Sequence, residues 1–161
     1  MADVKVEIRG LEQSQAKMKQ VAEDIHGGAV YSAMQEATQL VTRDAKILAP
    51  VDTGRLRASI TPEVRTDGKV LEGVVGSNVE YAAPMEVGTG TPAGHSPHYP
   101  PPDALETWAT RHGFKSGMQV AKIIWKRGGL MGRHFLQRGF DQNKEAIQKL
   151  LEDAVSKAVN K

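Results

Sequence analysis

Apolar and polar residues alternate near the start of the chain: Val4, Val6 and Ile8 are separated by Lys5, Glu7 and Arg9. A period of two belongs to a strand with one buried face, and Gly10 ends it. The period then lengthens. Ser14 is placed to cap a helix through Val21 and Ile25. Gly27-Gly28 interrupts that helix, because two glycines are costly in a helix interior. From Ala29, the apolar positions Val30, Ala33, Ala37, Leu40, Val41, Ala45 and Leu48 recur at spacings of mostly three and four, with Gln35, Glu36, Gln39, Arg43 and Lys46 between them. This predicts an amphipathic helix over 29–48 with one face on the core. Pro50 has no amide hydrogen and crowds the preceding turn, so the helix is expected to end near Ala49.

Asp52-Thr53-Gly54 then supplies turn chemistry, since Asp and Thr bond back to nearby backbone and Gly permits a positive φ. Leu56, Ala58 and Ile60 alternate with Arg55, Arg57 and Ser59, which predicts a strand from Leu56 to Val64, with Pro62 marking an edge or a bulge. Thr66-Asp67-Gly68-Lys69 reads as a hairpin turn leading to a second strand, Val70 to Gly76. A third extended stretch is expected over Val79 to Val87, interrupted by Pro84. Residues 88–103 are crowded with Gly and Pro and read as an exposed loop. Asp103 is the expected cap of a helix carrying Leu105, Trp108 and Ala109 and closing near Gly113. Ser116 starts another, with Val120, Ile123, Ile124 and Trp125, ended by Gly128-Gly129. Phe135, Leu136 and Phe140 open a last helix that continues through Ile147, Leu150, Leu151, Val155 and Val159. The expected fold is α+β: an antiparallel sheet of three to four strands packed against the long helix, with a C-terminal helix. Residues 1–161 form one domain in this reading, with 88–134 as an irregular and helical insertion.

Composition narrows the function. A chain of 161 residues can bury a core without disulfides or metals, and it has no Cys, which removes disulfide and thiolate chemistry. The formal net charge of +2 is a small excess of base rather than a nucleic-acid footprint. No apolar run reaches the roughly 18 residues a membrane span needs, and Met1-Ala2-Asp3-Val4-Lys5 is unlike a signal peptide, so a soluble protein made in the cytoplasm is expected. Aromatic residues are 5 % of the chain, too few for a platform that stacks single-stranded bases.

Candidate chemistry is thin. His95-Ser96-Pro97-His98 suggests a metal, but a site needs about three or four ligands in fixed geometry, and this loop offers no Cys and no paired carboxylate. Ser59 or Ser77 with a His and an Asp would sketch a hydrolytic triad, yet no nucleophile elbow surrounds them. Gly88-Thr89-Gly90-Thr91 lacks the spaced Gly and Lys of a phosphate-binding loop. Asp52-Thr53-Gly54 shares three residues with the aspartic-protease tripeptide, without a second copy or the apolar strands around it. No catalytic residue, cofactor or metal is therefore expected. Asp52 is near enough in sequence to Arg55 and Arg57 for a local ion pair. Lys122, Lys126, Arg127, Arg133 and Arg138 form a basic cluster with two readings: contact with DNA phosphates, or a solvated face or rim at a subunit contact. His112 and His134 read as ordinary surface or partly packed residues, and Trp108 and Trp125 as core or interface anchors.

The stretch Ala49-Pro50-Val51-Asp52-Thr53-Gly54-Arg55-Leu56-Arg57-Ala58-Ser59-Ile60 resembles the signature of the gene-product-ten-like tail components of long-tailed double-stranded DNA phages. Gly76-Ser77-Asn78-Val79-Glu80-Tyr81-Ala82-Ala83-Pro84-Met85-Glu86-Val87-Gly88-Thr89-Gly90 is similar to that family's second block. Gly132-Arg133-His134-Phe135-Leu136 is similar to its third, with His134 where a Pro is expected. The resemblance implies a structural virion protein at the neck or tail, taking part in head–tail joining or tail assembly as a ring around the DNA channel. It implies contacts with copies of itself and with head-closure or connector and tail-terminator or tail-tube proteins. DNA would be passing cargo, and no membrane is involved. A lone subunit is expected to be able to stay monomeric until a neighbouring virion protein templates the ring. Pro50, Asp52, Thr53, Gly54 and Leu56 are the expected structural motif. Tyr81, Glu86 and Gly88, with Trp108, Trp125, Arg133 and Phe135, are the expected interface. A small DNA-binding module using the basic helix at 116–127 is the alternative.

Overall fold

The computed structural model describes residues 15–20, 22–23, 28–67 and 70–160. Residues 15–20 and 22–23 are helical, while the strand expected at 4–8 and the cap at Ser14 lie outside the described residues. The first long helix, α1, is Ala29–Leu48, with the bounds its periodicity predicts. Val30, Ala33, Ala37, Val41 and Ala45 are buried together with Thr38 and Thr42. The two buried hydroxyls need partners and find them on the helix itself: Thr38 donates to the Gln35 carbonyl at 2.9 Å and Thr42 to that of Thr38 at 2.7 Å. Ala49 turns to an extended conformation before Pro50, so the stop is the one proline requires.

The corner that follows departs from expectation. Arg55–Ser59 is one turn of helix, α2, not the start of a strand. Gly54 precedes it with φ 83°, and the Ala58 amide donates to the Gly54 carbonyl at 2.9 Å. The alternation of Leu56 with Ile60 misled because a spacing of four serves a helix as well as a strand. Leu56 and Ile60 are both buried, whereas Ala58, which a strand would also have turned inward, is exposed.

Strand β1, Ile60–Thr66, and strand β2, Leu71–Ser77, form an antiparallel hairpin in which Ile60 is opposite Ser77 and Thr66 opposite Leu71. Pro62 sits in β1, which among the described residues is one strand of a two-stranded sheet, the position at an edge that proline tolerates. The sheet lies on α1. A Cβ on Gly73 would come within 2.6 Å of the Thr38 methyl carbon and 2.8 Å of the Met34 sulfur, so glycine there lets helix and sheet approach.

Among the described residues the sheet has two strands rather than three or four. The missing third is helix α3, Ala82–Val87. Pro84 is in its first turn, where no helical partner for its nitrogen is needed, so a proline that interrupts a strand is compatible with a helix start. A single 3-10 turn, Thr91–Ala93, follows. Helix α4 is Pro102–Arg111, helix α5 is Gly117–Lys126 and helix α6 is Phe135–Val159. Asp103 is inside the first turn of α4 and does not cap it; Pro101 is at the cap and Pro102 at the first helical position, which proline's fixed φ suits. Ser116 does cap α5, its hydroxyl oxygen accepting from the Gln119 amide at 3.4 Å.

Helix α6 runs antiparallel along α1. Its start, Phe135, packs with Ala45, Leu56 and Ile60, and its end, Ala154 and Ala158, packs with Val30 and Ala33. A Cβ on Gly139 would lie 2.9 Å from the Ala45 nitrogen, so the helices touch backbone to backbone there. Asn143 is buried beside the crossing and donates to the Asp44 carboxylate at 2.7 Å and the Gly139 carbonyl at 2.8 Å. Helices α4 and α5 pack mainly on each other, forming a helical hairpin apart from this core.

Candidate interaction site

The hairpin α4–α5 is joined to the body where two glycine-rich segments cross. Thr89 donates its amide to the Leu130 carbonyl at 2.8 Å, and Thr91 and His98 donate theirs to the Gly128 carbonyl at 2.9 and 3.2 Å. The Thr89 hydroxyl oxygen accepts from the Leu130 amide at 3.0 Å. Gly88 bridges to Met131. Side chains cannot occupy this crossing: a Cβ on Gly90 would overlap the Gly128 carbonyl, and one on Gly129 would overlap the Thr89 carbonyl. The loop over 88–103, exposed though much of it is, is therefore laced to 128–131 by backbone hydrogen bonds.

Beside the crossing, Glu86 closes the N-terminus of α6. Its two carboxylate oxygens accept from the amides of Leu136 at 2.9 Å and Gln137 at 3.0 Å. The backbone adds Arg133 N–H to the Met85 carbonyl at 2.8 Å and His134 N–H to the Glu86 carbonyl at 2.9 Å. A helix N-terminus leaves four amides without helical partners and carries partial positive charge, so a carboxylate there satisfies both needs. His134 holds φ 51° and is the non-glycine residue with positive φ among those described.

The corner makes a second tie. Asp52 pairs with Arg111 at 2.7 Å and with His112 at 3.1 Å, across 60 residues, rather than with Arg55 or Arg57. All three side chains are partly exposed, so the pair is worth about 0–1 kcal/mol and positions more than it stabilises. Thr53 accepts from the Arg55 amide at 3.5 Å.

The expected interface residues separate into two groups. Phe135 is fully buried, Glu86 is engaged as a cap, and Gly88 is part of the crossing. Tyr81, Trp108, Trp125 and Arg133 reach the surface. Trp108 stacks on His112 with ring centroids 4.2 Å apart and an interplanar angle of 23°. Trp125 is 53 % exposed on α5. Between Tyr81, Pro84, Pro100, Leu105, Ile124 and Leu130 lies an open, mainly apolar cleft of about 290 Å³. His95 and His98 are not brought together with carboxylates: among the described residues no group of three or more His, Asp or Glu could hold a metal ion. Among those residues, too, no helix is long and apolar enough to cross a membrane. Sequence reasoning missed the reach of Glu86 and Asp52, whose partners are 50 and 60 residues away; a lone acid in sequence carries no sign of such a partner.

The geometry thus joins the second sequence block, 76–90, to the third, 132–136. Residues 12–88 match the model of a known family, described as "Bacteriophage HK97-gp10, putative tail-component". That is the family the sequence blocks resemble. The match takes in α1, the corner, the hairpin and α3, and ends at Gly88, where the crossing begins. The third block, helices α4 and α5, and α6 lie beyond it. No curated protein and no solved structure matches the chain significantly.

Proposed function

We propose that this HK97-gp10-like chain is a structural virion protein of a tailed phage or prophage, acting at the neck in head–tail joining or tail completion. Copies associate into a ring around the DNA channel, between head-closure proteins on one side and tail-terminator or tail-tube proteins on the other. The observation that carries the reading is the tail-component match over residues 12–88. The structure is compatible with it: a body built on α1 and α6 bears a helical hairpin that leaves Trp125 and Met118 exposed, as a subunit needs if its surface is completed by neighbours. DNA passes as cargo, and no reaction is assigned. The experiment is deletion of the gene from its phage, followed by electron microscopy of lysates. Filled heads and separate tails, restored to joined particles by a plasmid copy, are expected. Normal joined virions without the protein would overturn the reading.

A further inference from the structure

Charge is unevenly spread along this chain. Residues 107–140 contain seven Lys or Arg and no Asp or Glu, whereas the rest of the chain holds 14 basic and 19 acidic residues. In the structure this cationic stretch supplies the outer face of α5. Met118, Lys122 and Trp125, at spacings of four and three, share an exposed side of α5 with Lys126 next to them, while Gly117, Val120 and Ala121 are buried. All four outer residues are exposed, and Lys122 and Lys126 make no ion pair with any described residue.

Helix α6 presents the complementary face. Asp141, Glu145 and Glu152 share one stripe with Val155 and Val159, at the spacing of successive helical turns. The stripe faces away from the buried Gly139, Asn143 and Ala154; Arg138 and Lys144 border it on either side, and Lys149 and Lys157 lie further round the helix. Val155 is 45 % and Val159 51 % exposed. One face thus sets lysines among large apolar side chains, and the other sets carboxylates beside apolar ones.

We infer that the outer face of α5 docks on the acidic stripe of α6 of a second copy. The inference rests on the reading of the chain as a self-associating virion component and names the surfaces involved. Within one subunit α5 packs on α4 and α6 on α1, which leaves both outer faces open. The two faces differ, so the contact is heterologous, and it closes into a ring when the rotation between copies divides a full turn. Trp and Met are enriched at the centres of protein interfaces, with charged residues at the rim steering register. A DNA backbone would be met by the lysines but would leave Met118 and Trp125 in water. That favours a protein surface, and the acidic partner is present in every copy.

Lysines on one proposed face and carboxylates on the other permit a direct test. Equal amounts of unlabelled and nitrogen-15-labelled chain are mixed and treated with a zero-length carbodiimide, which condenses a lysine amine with a carboxylate and releases water to the activating reagent as its urea. Mass spectrometry then identifies mixed-isotope cross-linked peptides. The same treatment is applied to phage particles that carry the protein. Links from Lys122 or Lys126 to Asp141, Glu145 or Glu152 between copies are expected in the particles and in concentrated solution. The variant Lys122→Glu with Lys126→Glu should reduce association by about tenfold or more. Adding Glu145→Lys with Glu152→Lys in the same chain should restore it. Absence of these links in both preparations, or failure of the second pair to rescue, overturns the proposal. So does a duplex DNA affinity that the first pair abolishes while association between copies stays unchanged. Inter-copy links without any head–tail defect would leave this contact standing and sink the neck assignment. A head–tail defect without such links would do the reverse.

Discussion

Replacing Glu86 by Ala should loosen the junction between the body and α6 without disturbing the core. The carboxylate accepts from two amides in the first turn of a 25-residue helix, at 2.9 and 3.0 Å, and one of those bonds is partly buried. Removing a side-chain acceptor at a helix N-terminus costs about 0.5–2 kcal/mol. Losing the charge beside the positive end of the helix dipole adds about 0.3–1 kcal/mol. The total is about 1–3 kcal/mol, and a chain of this size loses about 2–4 °C per kcal/mol, so Tm should fall by about 2–12 °C. Glu86→Gln keeps one acceptor oxygen and should lose mainly the charge, with a smaller fall. The backbone bonds of Met85 and Glu86 to Arg133 and His134 remain in both variants, so neither should unfold the protein. Thermal melts followed by circular dichroism supply the measurement. A Glu86→Ala protein melting within about 1 °C of the parent would refute the claim that this carboxylate holds the helix start.

Gly54→Val should destabilise more than Gly54→Asn, because φ 83° disfavours a β-branched residue while the site has no atom within 4 Å of a Cβ; equal melting temperatures would show that conformation is not what selects glycine there. Gly139→Val should cost about 1–3 kcal/mol or more by forcing α6 away from the Ala45 backbone, and urea unfolding gives the value. Asp44 is held below its ordinary carboxylate value by hydrogen bonds, first from Arg43 and then from Asn143. Its folded pKa is depressed, so its contribution is present above the unfolded value near 3.8 and is lost as pH falls through the folded one. Asp44→Asn should therefore show a shallower loss of Tm between pH 5 and 3 than the parent, and parallel curves would contradict this.

Elements whose signal is local and long were legible in the sequence. Helices α1 and α6 have the bounds their apolar spacing predicts, because many turns of consistent pattern outweigh any single residue. The short elements were not. Leu56 and Ile60 fit a strand face and a helical turn equally well, and only the long-range packing of both against Phe135 and Ala45 decides between them. Pro84 carries the same ambiguity, since proline interrupts a strand but is accepted in a first helical turn. Of the expected motif residues, Gly54 and Leu56 were readable as turn and core. The partners of Asp52 and Glu86 were not, because a carboxylate's distant partner is set by tertiary placement.

The glycine crossing explains how one chain can combine a fixed body with an outward-facing hairpin. A segment entering at Gly88 and returning at Gly132 would be free to swing if only its ends were anchored. Here the two strands of backbone are bonded to each other through Thr89, Thr91 and His98, and the close approach at Gly90 and Gly129 leaves no room for side chains to hold them apart. Asp52 reaches Arg111 and His112 from the body and adds a second point of attachment at the far end of α4. Two separated ties fix an orientation that one would not. Because the Asp52 tie is partly exposed, cutting it should cost little stability yet release the hairpin's direction. Asp52→Asn is therefore expected to fold with Tm within about 2–4 °C of the parent, the shift that 1 kcal/mol gives in a chain of this size. It should also raise hydrogen exchange at the amides of Arg111 and His112. An Asp52→Asn protein whose exchange there matches the parent's would show that the glycine crossing alone sets the direction of the hairpin.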